Sequence, residues 1–133
     1  MMHRPLPRAT AETTPFWEGC ALGKLRYQRC ASCGAVQLIP RSLCSECQSR
    51  DLDWCESHRL GAVLSFTIVH RAPSAAFESE LPYAIAIVDM DEGFRVMANV
   101  VGGATARLQV DSRVRIGFRR IDGVALPEAE VFE

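Results

Sequence analysis

Cys30-Ala31-Ser32-Cys33 and Cys44-Ser45-Glu46-Cys47 are two CxxC pairs with ten residues between them. Two residues between cysteines let a tight turn aim both sulfurs at one point. Two such turns facing each other make a tetrahedral site of four thiolates, a donor set that suits zinc. An iron centre is chemically open to the same set, and four reduced free thiols are the bland alternative. A four-thiolate zinc site has no open position for water or substrate, so its ion adds folding energy and performs no catalysis. Gly34 follows the first pair with a permissive backbone. Gln48 stands at the matching place after the second pair, where glycine would be easier.

The other candidates for chemistry are scattered. Cys20 and Cys55 lie outside the pairs and read as small buried apolar residues. His3 falls in the arm at the chain start, His58 at the end of the cysteine-rich ribbon, and His70 at a strand end. No motif links any of them to a cysteine, as covalent catalysis by a nucleophile and base requires. There is no GxSxG, no HExxH and no phosphate-cradling glycine loop. Gly102-Gly103 reads as a plain turn.

Charge argues against one broad class of partner. Residues 1–60 carry eight Lys/Arg against six Asp/Glu, and residues 61–133 carry seven against ten. Neither half is a basic footprint for nucleic-acid phosphates. The longest apolar stretch, Tyr83 to Val88, is far too short to cross a bilayer as a helix. With no secretion leader in evidence, a cytoplasmic location is expected, where thiols stay reduced and available to metal.

The elements that must position the cysteines follow from local pattern. Residues 1–13 have prolines and small polar residues with no apolar period, and read as a flexible arm. A helix is expected from Thr14, with Thr14 as cap, Pro15 at the first helical position, Glu18 in the first turn and Gly23 as the stop. Residues 14–60 then form one unit of helix plus cysteine-rich ribbon, with short strands at Leu25–Arg29, Val36–Ile39 and Asp53–Glu56 flanking the knuckles. After Gly61 period-two alternation takes over, so residues 61–133 form the second unit. Leu64, Phe66 and Ile68 are expected on one face of its first strand. Tyr83 to Met90 reads as buried on both faces. Asp91-Glu92-Gly93 and Asp122-Gly123 are turns, and Ala125 to Phe132 is a last strand. The fold class is mainly β. Five short strands with no helix to cover them do best closed into a barrel.

The order of motifs resembles a known family. The run Pro15-Phe16-Trp17-Glu18-Gly19, then Gly23-Lys24-Leu25, then Gln28-Arg29-Cys30-Ala31-Ser32-Cys33-Gly34 is its opening. Pro40-Arg41, Cys44-Ser45-Glu46-Cys47, Trp54, Gly61-Ala62-Val63-Leu64-Ser65-Phe66-Thr67 and Pro82-Tyr83 continue it. The chain is similar, from about residue 14 onward, to the acyl-CoA-associated proteins that pair a rubredoxin-like zinc ribbon with a C-terminal OB-fold.

That resemblance implies a partner. Members assemble with thiolase-fold proteins that act on acyl-CoA thioesters: thiolases, side-chain-cleaving aldolases and acyltransferases. It implies an accessory subunit of a hetero-oligomer, with no catalytic residues of its own, that supports the partner and helps enclose the CoA substrate. On this reading Arg71 and Phe77, in the long segment from Arg71 to Leu81, are candidates for contact with CoA or the partner. The simpler roles are a solvated cation for Arg71 and a packing residue for Phe77. Trp17 is a candidate interface anchor. Two other readings compete. One is a purely structural adaptor. The other is an OB-fold that binds single-stranded nucleic acid, against which the acidic second half argues.

Overall fold

The computed structural model describes residues 6–8, 10–71, 75, 81–101 and 108–131. Its helix α1 spans Thr14–Ala21. The start differs from expectation by one residue. Thr13 occupies the cap position without a side-chain bond into the helix, and Thr14 instead donates its hydroxyl to the Thr10 carbonyl at 2.6 Å. Thr10 and Thr13 bond each other's backbone amides through their hydroxyls. This local threonine pairing competes with the cap. Glu18 lies past the first turn, too far along to meet the free amides. The end is as expected: Gly23 at φ +75 lets Lys24 N–H reach back to the Gly19 carbonyl at 2.8 Å. A β-carbon on Gly19 would meet the Arg26 side chain at 2.8 Å, so the helix and the strand after it approach closely because that residue is glycine.

Strands β1 (Arg26–Cys30), β2 (Val36–Gln37) and β3 (Leu52–Glu56) form a three-stranded sheet in the order β2-β1-β3. β2 is shorter than the pattern suggested, because the chain bends away toward Pro40 and the second knuckle.

Strands β4 (Leu60–Val69), β5 (Tyr83–Met90), β6 (Arg95–Val100), β7 (Arg113–Ile121) and β8 (Val124–Val131) close into a barrel in the order β4-β5-β6-β8-β7. β6 and β8 run parallel; the other neighbours are antiparallel. Val63, Val88, Val114 and Ile116 are fully buried inside it, each worth about 1.5–3 kcal/mol of removal from water. A β-carbon on Gly61 would sit 2.5 Å from the Asp89 carbonyl oxygen, so β4 can approach β5 there only as glycine. The Asp122-Gly123 turn has both residues at positive φ, 50 and 83, the geometry that two-residue hairpins require.

Two expectations fail here. A β-bulge between Val63 and Ser65 shifts the phase of β4, so Val63 turns inward and Leu64 is exposed. Phe66 and Ile68 still pack on the core. β5 buries one face only: Ala84, Ala86, Val88 and Met90 are inside, while Ile87 and Asp89 are exposed. Among the described residues no helix covers Ile87 and Asp89, so this part of the second face meets solvent. Gly102-Gly103 lies outside the described residues.

The sheet and the barrel share one hydrophobic core, which runs from Phe16, Cys20, Leu25 and Tyr27 to the barrel interior. The junction Ser57–Arg59 is held by several hydrogen bonds. Ser57 N–H donates to Leu25 O, and the Glu92 carboxylate accepts from Ser57 Oγ at 3.0 Å and His58 N–H at 2.7 Å. Arg59 holds both the carbonyl and the amide of Ile116. Among the described residues no helix is long and apolar enough to cross a membrane.

Candidate metal centre

The two knuckles are built alike. In the first, Gly34 N–H donates to Cys30 O at 2.9 Å and Cys30 N–H to Ala35 O at 2.8 Å. In the second, Gln48 N–H donates to Cys44 O at 2.9 Å and Cys44 N–H to Ser49 O at 2.8 Å. Gly34 and Gln48 hold the same left-handed conformation, φ 78 and 64. Gln48 therefore takes a backbone that disfavours any side chain by about 1–2 kcal/mol.

All four sulfurs lie within 4.8 Å of one another. Cys30 and Cys47 Sγ are 3.6 Å apart, as are Cys33 and Cys44 Sγ. Zinc–sulfur bonds of about 2.3 Å at tetrahedral angles place sulfurs roughly 3.8 Å apart, so the cluster fits zinc without rearranging the fold. Cys30 and Cys44 are buried and Cys33 and Cys47 exposed. Such a site is closed by its four ligands and not by depth.

The protons of the free thiols divide unevenly. The Cys33 amide, donating to Cys30 Sγ at 3.5 Å, draws Cys30 down to about 6. The amides of Cys47 and Glu46 lower Cys44. Cys47, against the pull of the Ser49 amide, is pushed up to about 12 by the Cys30 and Cys33 sulfurs. Cys33, against the Ala35 amide, is raised by burial and by its sulfur neighbours Cys44 and Cys30. In each close sulfur pair one thiol is lowered and the other raised. A divalent cation would displace the protons that remain, since the ligands bind as thiolates.

A pair of glutamines, passed over in the sequence, ties the knuckles together. Gln28 and Gln37 sit opposite each other on β1 and β2, and Gln37 Nε2 donates to Gln28 Oε1 at 2.7 Å. Gln28 brackets one backbone residue of the segment leading into the second knuckle, accepting from Arg41 N–H at 2.9 Å and donating to Arg41 O at 3.0 Å. Gln37 Oε1 accepts from Ser45 N–H, next to Cys44, at 3.0 Å. The signal available in sequence was weak: a polar residue two before a ligand, on a strand too short for alternation to declare its face.

The other candidates are not gathered into this centre. Cys20 is 1% exposed, and burial pushes its thiol up to about 11. Cys55 faces Tyr27 across the β1–β3 pair. His58 is held by its backbone amide at the junction, and His70 is exposed just past β4. Arg71 is exposed at a bend beyond that strand. Phe77 lies outside the described residues. Trp17 packs edge-on to Phe16 at 4.9 Å and roofs an open groove of about 350 Å³ lined also by Ile85, Met97, Ile121, Leu126 and Pro127. The groove lies beside the short stretch where, among the described residues, β6 and β8 pair at Asn99–Glu128 and Val100–Ala129. Met97, 72% exposed, stands at its edge.

Both halves match known families. Residues 17–53 match the ChsH2 rubredoxin-like zinc ribbon domain, and residues 54–119 match the ChsH2 C-terminal OB-fold domain. The chain belongs to the ChsH2 ribbon and OB-fold family. The barrel is accordingly an OB-fold, and the ChsH2-type ribbon is a domain suited to structural zinc. Among relatives, a probable enoyl-CoA hydratase alpha subunit of Thermomonospora curvata is 32% identical over 119 residues, 90% of this chain and 37% of that protein. A DUF35 domain-containing scaffold protein of Methanocaldococcus jannaschii is 32% identical over 70% of this chain and 66% of its own length. A benzoylsuccinyl-CoA thiolase subunit of Geobacter metallireducens is 28% identical over 77% of this chain and 68% of its own. The chain thus spans about a third of the hydratase subunit's length and about two thirds of the other two. A solved Ltp2-ChsH2(DUF35) aldolase contains a chain that superposes with a TM-score of 0.82 and 29% identity, covering 95% of this chain and 98% of that one.

Proposed function

We propose that this protein is a zinc-binding, non-catalytic accessory subunit of a thiolase-fold enzyme acting on acyl-CoA thioesters. It supports its partner, helps enclose the CoA substrate, and works in the cytoplasm. The observation that carries this reading is the likeness to the ChsH2 chain of an aldolase assembly along nearly its whole length. The ribbon gives the protein one structural zinc on Cys30, Cys33, Cys44 and Cys47, and the barrel packs against it through one shared core. Cys20 supports an accessory role: it is buried with its thiol raised, the opposite of what a nucleophile needs. Arg71, exposed near the long loop, stays the candidate for a CoA phosphate, with Phe77 for the acyl or partner contact.

Native untagged protein should co-purify with a thiolase-fold subunit. The isolated chain should neither cleave nor condense acyl-CoA, and activity should appear only in the complex. Recovery with nucleic acid in place of a protein partner would overturn the assignment.

A further inference from the structure

We propose that Gln28 and Gln37 are the positioning residues of the zinc centre, a side-chain relay that holds the second knuckle over the first before metal arrives. Strand β1 works on two sides. Tyr27 stacks on Phe94 of the barrel, and the next residue, Gln28, faces the other way into the ribbon. Gln28 is 5% exposed and is the one buried polar side chain among the described residues. A buried amide left unbonded costs about 1–3 kcal/mol. Here no buried side-chain nitrogen or oxygen among the described residues lacks a partner, so that cost is met in full by the relay.

What the relay bonds to makes its role specific. The chain between β2 and β3 carries Cys44 and Cys47 and has no strand or helix of its own. Its internal bonds, Cys44 N–H to Ser49 O and Gln48 N–H to Cys44 O, shape the knuckle but do not place it. Placement comes from outside. Gln28 bonds both the amide and the carbonyl of Arg41, as a neighbouring strand would. Gln37 bonds Ser45 N–H, one residue from Cys44. Two further ties flank the relay: Ala31 N–H donates to Asp51 O at 2.8 Å, beyond the second knuckle, and the Ser32–Ser49 hydroxyl contact at 3.0 Å is exposed, so water competes with it. The relay therefore converts two separate sulfur pairs into one four-sulfur cluster, and the entropy of bringing the pairs together is met by folding and not by the metal.

The experiment compares zinc affinity in the full chain, by competition with a chromophoric chelator, for wild type, Gln28→Met and Gln37→Met. Methionine keeps the length of glutamine and removes its hydrogen bonds. Outer partners of metal ligands typically contribute 10–100-fold in affinity, and a loss of about that size is expected for Gln28→Met, with a smaller loss for Gln37→Met. Cobalt-loaded variants should keep the absorption bands of four-thiolate coordination, showing the same ligands held less well. Melting of the metal-free chain gives the readout that separates positioning from general stability. Wild-type zinc affinity in both variants overturns the proposal, as does an equal drop in melting temperature with and without zinc. Where Gln28→Met does not fold, Gln37→Met, on a half-buried residue, decides the question alone by the same criteria.

Discussion

Tyr27 of the ribbon and Phe94 of the barrel stack with ring centroids 4.7 Å apart and planes 27° from parallel. Both are buried. Tyr27 lies three residues before the first zinc ligand, and Phe94 follows the β5–β6 turn whose Glu92 holds the junction. One aromatic pair thus joins the metal-bearing half to the barrel. Phe94→Ala should cost about 3–5 kcal/mol, the range for large aromatic truncations in a core. Ribbon and barrel should still unfold in one denaturant transition. Two separate transitions in the wild type, followed by ribbon absorbance and barrel circular dichroism, would contradict a shared core.

The metal centre makes a stoichiometric prediction. Protein prepared without chelator should contain close to one zinc per chain. Cys30→Ser and Cys44→Ser should each release it and loosen the ribbon, because a structural site with a lost ligand loses folding energy outright. Elemental analysis with a thiol titration checks both statements.

The strained knuckle offers a gain. Gln48 has φ 64, and glycine removes the β-carbon clash at the modest cost of a freer unfolded chain. Gln48→Gly should stabilise the zinc-loaded protein by roughly 0.5–1 kcal/mol, and Gly34→Ala should destabilise it by about 1 kcal/mol. Gly61→Ala should be worse than either, since its added carbon meets β5 backbone at 2.5 Å. Chemical denaturation of the three variants ranks them.

Alkaline pH should weaken the fold. Burial raises Cys20 from 9.0 to about 11, and burial also raises Tyr27 above its ordinary 10.0. Between about pH 9 and 11 the unfolded chain has released the Cys20 proton and the folded chain has not. The unfolded state then binds fewer protons, so stability falls as pH rises through this window and is fully present below it. Cys20→Ala should flatten that decline. Equal slopes for wild type and Cys20→Ala in denaturant midpoints at pH 8.5 to 11 would refute the assignment.

Trp17 tests the proposed assembly. Half-buried above the β6–β8 groove, it has the size and position of an anchor. Trp17→Ala should weaken binding to a thiolase-fold partner by about 2 kcal/mol or more while shifting the melting of the isolated chain little. A large fall in melting with unchanged affinity would make Trp17 a packing residue of α1.

The cysteines were legible because two-residue spacing is a property of the chain itself: the turn that aims two sulfurs together is complete within each motif. The barrel was legible because its strands alternate. What alternation could not reveal is where its phase breaks. The bulge after Val63 is set by how β4 meets β5 and β7, so nothing local in Leu64 announces that it is exposed. The outer wall at Ile87 and Met97 looks like core in sequence because its residues are apolar, and it is exposed because the one short helix among the described residues covers only part of the barrel. Gln28 escaped for the opposite reason. A glutamine on a short strand reads as surface, and only the arrival of Arg41 from thirteen residues away gives its amide a buried use.

The bonded junction at Ser57–Arg59 leaves the molecule without a pivot. With Ser57 tied to Leu25, both Ser57 and His58 to Glu92, and Arg59 to Ile116, torque applied at the zinc end passes to the far rim of the barrel undamped. Backbone amides on either side of Glu92 should relax with a single rotational correlation time. A protein that grips the knuckles therefore sets the heading of the barrel as well, much as a hand on a lever sets its tip.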